Sequence, residues 1–145
     1  MKRYMALDIG DATIGIAVSD LLGITAQGVE TIRRKSIESD LTRLSELIRE
    51  YEVTDLVSGL PKNMNGTEGS RCEVVKAFME RVSRAFPTAS IHFWDERLST
   101  VGAERSLLAA DVSRRKRRKV IDKMAAVFIL QGFMDRHASE NRIGS

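Results

Sequence analysis

Two apolar segments, Arg3 to Ile9 and Thr13 to Val18, are separated by no more than a turn around Gly10-Asp11, so a chain that buries both must double back there. Ile14, Ile16 and Val18 alternate with Gly15, Ala17 and Ser19, the period of a strand with two different faces. The hairpin carries a carboxylate, Asp8, at the end of its otherwise apolar first strand. Burying a charge there costs several kcal/mol unless something pairs with it, and a bound cation is the simplest partner.

After a turn over Asp20 to Gly23, a third strand around Thr25 to Ile32 is expected to complete an antiparallel meander. The period then changes. Ile37, Leu41, Leu44, Ile48 and Tyr51 fall at helical spacing, with Ser36 or Ser39 available as N-cap. Asp55 to Leu60 reads as a short buried strand stopped by Pro61. A loop rich in Asn and Gly follows, then a second helix from about Glu68 to Phe86 with Val75, Phe78 and Val82 inward. Ser90 to Asp95 is a further strand, Thr100 caps a helix to about Ala110, and a final helix runs from about Lys119 to His137. The expectation is an α/β fold with a five-stranded mixed sheet, an antiparallel meander of three strands plus two parallel strands, with helices on its faces.

The length of 145 residues suits a single domain spanning residues 1–145. No apolar run approaches the roughly 20 residues of a membrane helix, and no signal-peptide pattern opens the chain, so a cytoplasmic protein without a membrane partner is expected. Cys72 stands alone and the histidines are His92 and His137 only, which excludes a disulfide framework and a thiolate- or histidine-built metal centre. Any metal must be held by oxygen.

In parallel sheets, sites form beyond the carboxyl ends of the strands. Asp8 and the pair Asp95-Glu96 lie at such ends. Counting from Asp122, positions i+3, i+4, i+7 and i+11 are Ala125, Ala126, Ile129 and Phe133, so Asp122 belongs to the apolar stripe of the last helix. Asp135 falls on the opposite, wet side. Carboxylates from distant segments suit magnesium or manganese, and two such ions about 3.5 to 4 Å apart can activate water and steady a leaving oxygen in phosphodiester cleavage. Each acid also has an ordinary use: Asp8 in a turn, Glu96 beside Arg97, Asp122 at a helix start.

The net charge of +3 conceals a division, because Arg114, Arg115, Lys116, Arg117, Arg118 and Lys119 form an unbroken basic run and leave the rest of the chain net acidic. Such a run is either a solvated segment or a site for a nucleic-acid backbone, and it immediately precedes the helix of Asp122. The loop Gly59 to Gly66 could offer backbone N-H groups, Lys62 and Asn63 to phosphates, although it lacks the P-loop pattern. Trp94 reads as core.

Together, Asp8-Ile9-Gly10, Gly15-x-Ala17-x-Ser19-Asp20, Gly59-Leu60-Pro61 with Asn65-Gly66, Asp95-Glu96-Arg97-Leu98-Ser99-Thr100, and Lys119-x-x-Asp122-x-x-Ala125-Ala126 through Gln131 resemble the YqgF/RuvX family of RuvC-related nucleases. The resemblance spans nearly the whole chain. It implies an RNase H-like fold and a metal-dependent endonuclease, using Mg2+ or Mn2+, that matures the 5′ end of pre-16S ribosomal RNA. It further implies Asp8, Glu96 and Asp122 as catalytic acids and metal ligands. In the mechanism expected from the residues themselves, Lys62, Asn63, Arg97 and the basic run position the substrate strand. Asp95 remains an alternative second ligand, because RuvC relatives carry an acid at the end of the preceding strand, where this chain has Gly59. A basic residue common in the first motif is replaced by Ala12 and Thr13.

The partners implied are precursor rRNA or branched DNA, with a pre-30S ribosomal particle as the setting and a monomer or homodimer as the working form. Holliday junction resolution is the same chemistry on another substrate. A non-catalytic RNA-binding assembly factor would use the basic run and ignore magnesium. An actin- or sugar-kinase-like nucleotide-binding module would share Asp8-x-Gly10 but needs a second lobe and a second phosphate loop, which this chain lacks.

Overall fold

The computed structural model describes residues 2–98 and 124–138. The helix expected from Thr100 to Ala110, the basic run and Asp122 lie outside the described residues. Five strands form one sheet: β1 (Tyr4–Ile9), β2 (Thr13–Ser19), β3 (Ala26–Arg33), β4 (Asp55–Leu60) and β5 (Ser90–Asp95). Their order is β3-β2-β1-β4-β5. β1 pairs antiparallel with β2 and β2 with β3, whereas β1 and β4, and β4 and β5, run parallel. The meander and the crossovers are those expected from the strand spacing, and the ranges of β4 and β5 coincide with the expected ones.

Helices α1 (Ile37–Glu50) and α2 (Ser70–Ala85) fill the two crossovers. Ser36 caps α1, its hydroxyl accepting from the Ser39 N-H at 3.1 Å. α2 starts later than Glu68 because Gly69 is extended, while Glu68 turns back to pair with Lys76. Strand alternation divides the core. Met5, Leu7 and Ile9 of β1 pack with Leu44 and Leu47 of α1 and with Cys72, Val75, Phe78, Met79 and Val82 of α2. Tyr4 and Ala6 point the other way, into a second core with Val57, Trp94 and the third described helix, α3 (residues 124–138), through Ala125, Ala126, Ile129 and Leu130. Each of the fully buried aliphatic side chains contributes about 1.5 to 3 kcal/mol.

The buried stripe of α1 is turned from the expected one. Leu41, Ile48 and Tyr51 are only partly covered, while Leu47 and Asp40 are buried. Asp40, 1% exposed, accepts from Arg34 Nε at 3.0 Å. Arg34 in turn donates from Nη1 to the Gly10 carbonyl at 2.8 Å and lies over the Phe78 ring at 4.9 Å. The turn that follows Asp8 is therefore held from α1 through the pair of half-buried Arg34 with buried Asp40. Arg34→Ala should destabilise the fold by about 3 kcal/mol, because it strands the Asp40 charge in the core. A urea midpoint shift in proportion checks this; an unchanged midpoint contradicts it.

At the amino ends of β1 and β4, Asp55 is buried. Burial alone would raise its carboxyl pKa, but hydrogen bonds from Thr54 and His92 hold it below the usual carboxylate range. His92 Nε2 lies 2.9 Å from Asp55 Oδ1, and the ring packs against Phe133, which stacks on His137. Both histidines are thus structural.

Candidate active site

The carboxyl ends of β1, β4 and β5 meet at the opposite end of the sheet. Asp8 is half-buried and lies opposite Gly15 of β2. On the other side Leu7 is paired with Ser58, so the register carried one residue further puts Gly59 beside Asp8. Asp8 thus stands between two glycines, positions at which the adjacent strands carry no side chain. Alternation directs its carboxylate to the same face as Tyr4 and Ala6, the face that α3 covers.

Gly59 shows how the second acid reaches this place. It is paired with Trp94 of β5, and the Cβ it lacks would stand 3.1 Å from Glu96 Oε1 and 2.5 Å from Ile129 Cδ1. The carboxyl group of Glu96, from the short 3-10 turn Glu96–Leu98 after β5, therefore lies in the space a β4 side chain would fill. Oε1 is buried there. Strands are about 4.8 Å apart, so Glu96 is brought one strand width from the Asp8 column. On the α3 side, Gly132 lets the helix close onto Trp94, whose Cζ2 would be 3.0 Å from a Cβ. Trp94 is core, 6% exposed.

Asp95 has a different neighbourhood. Its side chain is opposite in parity to Trp94, and both oxygens are engaged by Arg97: Nη2 donates to Oδ2 at 2.7 Å, Nε to Oδ1 at 3.1 Å, and the Arg97 backbone N-H to Oδ1 at 3.0 Å. These hydrogen bonds, chiefly the guanidinium ones, with Lys62 adding its charge, hold the Asp95 carboxyl below its usual range. Arg97, raised in turn by Asp95, lies under Gly66, whose φ of 87° is the left-handed conformation glycine accepts. Asp95 thus serves to aim Arg97 at the loop after β4.

That loop is ordered by hydrogen bonds within its own backbone and side chains. Asn63 N-H donates to the Thr67 carbonyl at 2.9 Å, Gly66 N-H to the Asn63 carbonyl at 2.9 Å, and Thr67 Oγ1 to Asn65 Oδ1 at 2.6 Å. It holds Lys62 half-buried and Asn63 exposed at the rim.

Of the expected set, the strand register puts Asp8 on β1 and Glu96 after β5 on either side of Gly59 of β4, and Arg97 reaches the loop that carries Lys62 and Asn63; Asp122 and residues 114–119 lie outside the described residues. Among the described residues no three acids, histidines or cysteines gather. The donors at the site fit a hard divalent cation, since they are carboxylates, while Cys72 is buried in α2, His92 lies with Asp55 and His137 stacks on Phe133. Two arginines escaped the sequence reading: Arg34, on the Gly10 carbonyl, and Arg71, whose Nη2 donates to the Ile9 carbonyl at 2.9 Å. Their spacing from the turn follows no motif, and only the fold unites them.

A family model described as RuvX, Holliday junction resolvase, matches residues 2–136. A protein of Clostridioides difficile (strain 630) named "Putative pre-16S rRNA nuclease" is 60% identical over 133 residues, covering 92% of this chain and 94% of that relative. The protein of the same name from Desulforamulus reducens is 59% identical over 133 residues, covering 92% and 96%. In solved structures, the fold matches T. thermophilus RuvC in complex with Holliday junction substrate, at TM-score 0.64 and 10% identity, over 100% of this chain and 98% of that one. A separate Thermus thermophilus RuvC structure matches at TM-score 0.55 and 12% identity, over 98% and 96%. The fold is RuvC-like, and the chain belongs to the RuvX family.

Proposed function

We propose that this chain is a one-domain, divalent-metal-dependent endonuclease that cleaves precursor small-subunit ribosomal RNA in 5′-end maturation. The observation that supports it most is the carboxyl group of Glu96 in the space over Gly59, one strand away from Asp8. Family membership and the names of the relatives supply the reaction class and the RNA. Asp8 and Glu96 hold Mg2+ or Mn2+ in this reading, with Asp122 as third acid. When bound, the metal supplies an activated water and charge stabilisation for the leaving oxygen. Lys62, Asn63 and Arg97 orient the phosphate backbone at the rim, and Asp95 keeps Arg97 in place. The work is cytoplasmic, on the precursor of the 30S particle.

The RuvC-like fold and the family's description favour one second reading, cleavage of a four-way DNA junction by a dimer with paired sites. The test compares precursor 16S RNA with a four-way DNA junction, each with magnesium, manganese or chelator. Cleavage of the RNA at a defined site, lost with chelator and restored by either metal, supports the proposal. Symmetric junction cuts without RNA cleavage replace it with the second reading, and metal-indifferent binding without cleavage overturns both.

The basic run should act on affinity alone. Exchanging Arg114, Arg115 and Arg117 for Glu is expected to weaken RNA binding at least tenfold near 0.1 M salt and to lower the salt slope by about 2. Metal affinity should not change. An unaltered slope makes the run a solvated segment.

A further inference from the structure

The guanidinium of Arg71 is tied to the candidate site by one edge and to a surface acid by the other. Nη2 donates to the carbonyl of Ile9, the residue after Asp8, at 2.9 Å. Nη1 donates to Asp11 Oδ1 at 2.6 Å. That pair is open to water: the Arg71 side chain is 41% exposed and that of Asp11 90%. Three features make it a poor structural staple. An ion pair so exposed contributes little to stability. Arg71 is in the first turn of α2, where the helix dipole disfavours a cation. The tight hairpin is already closed by the Gly10 N-H on the Thr13 carbonyl at 2.8 Å and braced by Arg34.

We propose that Arg71 is a phosphate contact for the nucleic-acid strand at Asp8, and that Asp11 occupies its outer edge until substrate displaces it. A carboxylate and a phosphate present the same paired oxygens to a guanidinium, so one can replace the other without moving Arg71 from its anchor on Ile9. The anchor keeps the cation at the carboxyl end of β1, one residue from Asp8, where a strand crossing that edge of the sheet from the α3 face to the α2 face would meet it. Asp11 is thereby a competitor for the guanidinium and acts on affinity through Arg71. This assignment rests on the nuclease reading of the site.

The test measures binding of a labelled single-stranded RNA carrying the precursor sequence, by anisotropy across a salt series, with chelator present so that the RNA stays intact. Arg71→Ala should weaken binding about threefold to tenfold and reduce the slope of log affinity against log salt by about 0.7, the loss of one phosphate contact on a single strand. Asp11→Asn should tighten binding about threefold, and the double variant should match Arg71→Ala. Melting temperatures of all three should stay near that of the wild type. An unchanged slope in Arg71→Ala, or unchanged or weaker binding in Asp11→Asn, overturns the proposal. Wild-type cleavage assayed in parallel separates the two failures: cleavage without these shifts sinks the Arg71 assignment alone, whereas no cleavage under any metal sinks the nuclease reading.

Discussion

Asp8→Asn is expected to lower RNA cleavage at least about a thousandfold, equivalent to roughly 4 kcal/mol of barrier, without unfolding the protein. The substitution keeps the shape of the side chain and removes its charge, so the site loses a ligand oxygen suited to a hard cation. Folding should be spared for the same reason. Asp8 lies between Gly15 and Gly59 at the end of β1, and a neutral amide there costs less to desolvate than a carboxylate. RNA binding in chelator should hold or rise slightly, because the lost charge repelled the phosphate backbone. Single-turnover cleavage across a magnesium titration, with a melting curve on the same sample, reads both effects. Cleavage at the wild-type rate by the purified variant would remove Asp8 from the mechanism, and a collapsed melting temperature would give it a structural role instead.

The strands were legible because their faces differ. Ile14, Ile16 and Val18 against Gly15, Ala17 and Ser19 give the period, and Gly10 and Pro61 follow the ends of β1 and β4. The place of Glu96 at the carboxyl end of a strand follows from the strand reading, whereas its lodging over Gly59 does not. Nothing local tells that Gly59 leaves room for a residue in the turn after the next strand, since a glycine in a strand reads equally as a weak point or a close approach. Asp95 and Glu96 could not be ranked either, because the choice depends on which carboxylate Arg97 engages. The buried side of α1 departs from the hydropathy pattern at Asp40, where the charge of Arg34 overrides it. Arg71 was invisible for a related reason: its hydrogen-bonding partner Ile9 is 62 residues away, and only the crossover joining β4 to α2 brings them together.

Gly59→Val carries the second large effect, and it asks whether the empty position on β4 exists for Glu96 or for the packing of α3. Valine suits a strand, so the backbone of β4 should tolerate it. Its side chain would enter the space now shared by Glu96 Oε1 and the tip of Ile129, at 3.1 Å and 2.5 Å from the first added atom. Ile129 can rotate or move with α3 at an overpacking cost of about 1 to 3 kcal/mol. Glu96 has to leave, since its carboxyl and the new methyl groups cannot share the position. A displacement of about 1 Å in a catalytic group can cost about a hundredfold, and that is the fall in cleavage expected here. Gly59→Val with Ile129→Ala separates the causes. Trimming Ile129 makes room on the helix side and should recover the melting temperature, while cleavage stays low because Glu96 is still displaced. If cleavage returns together with stability, Gly59 serves the contact with α3 and the second acid has been assigned to the wrong place.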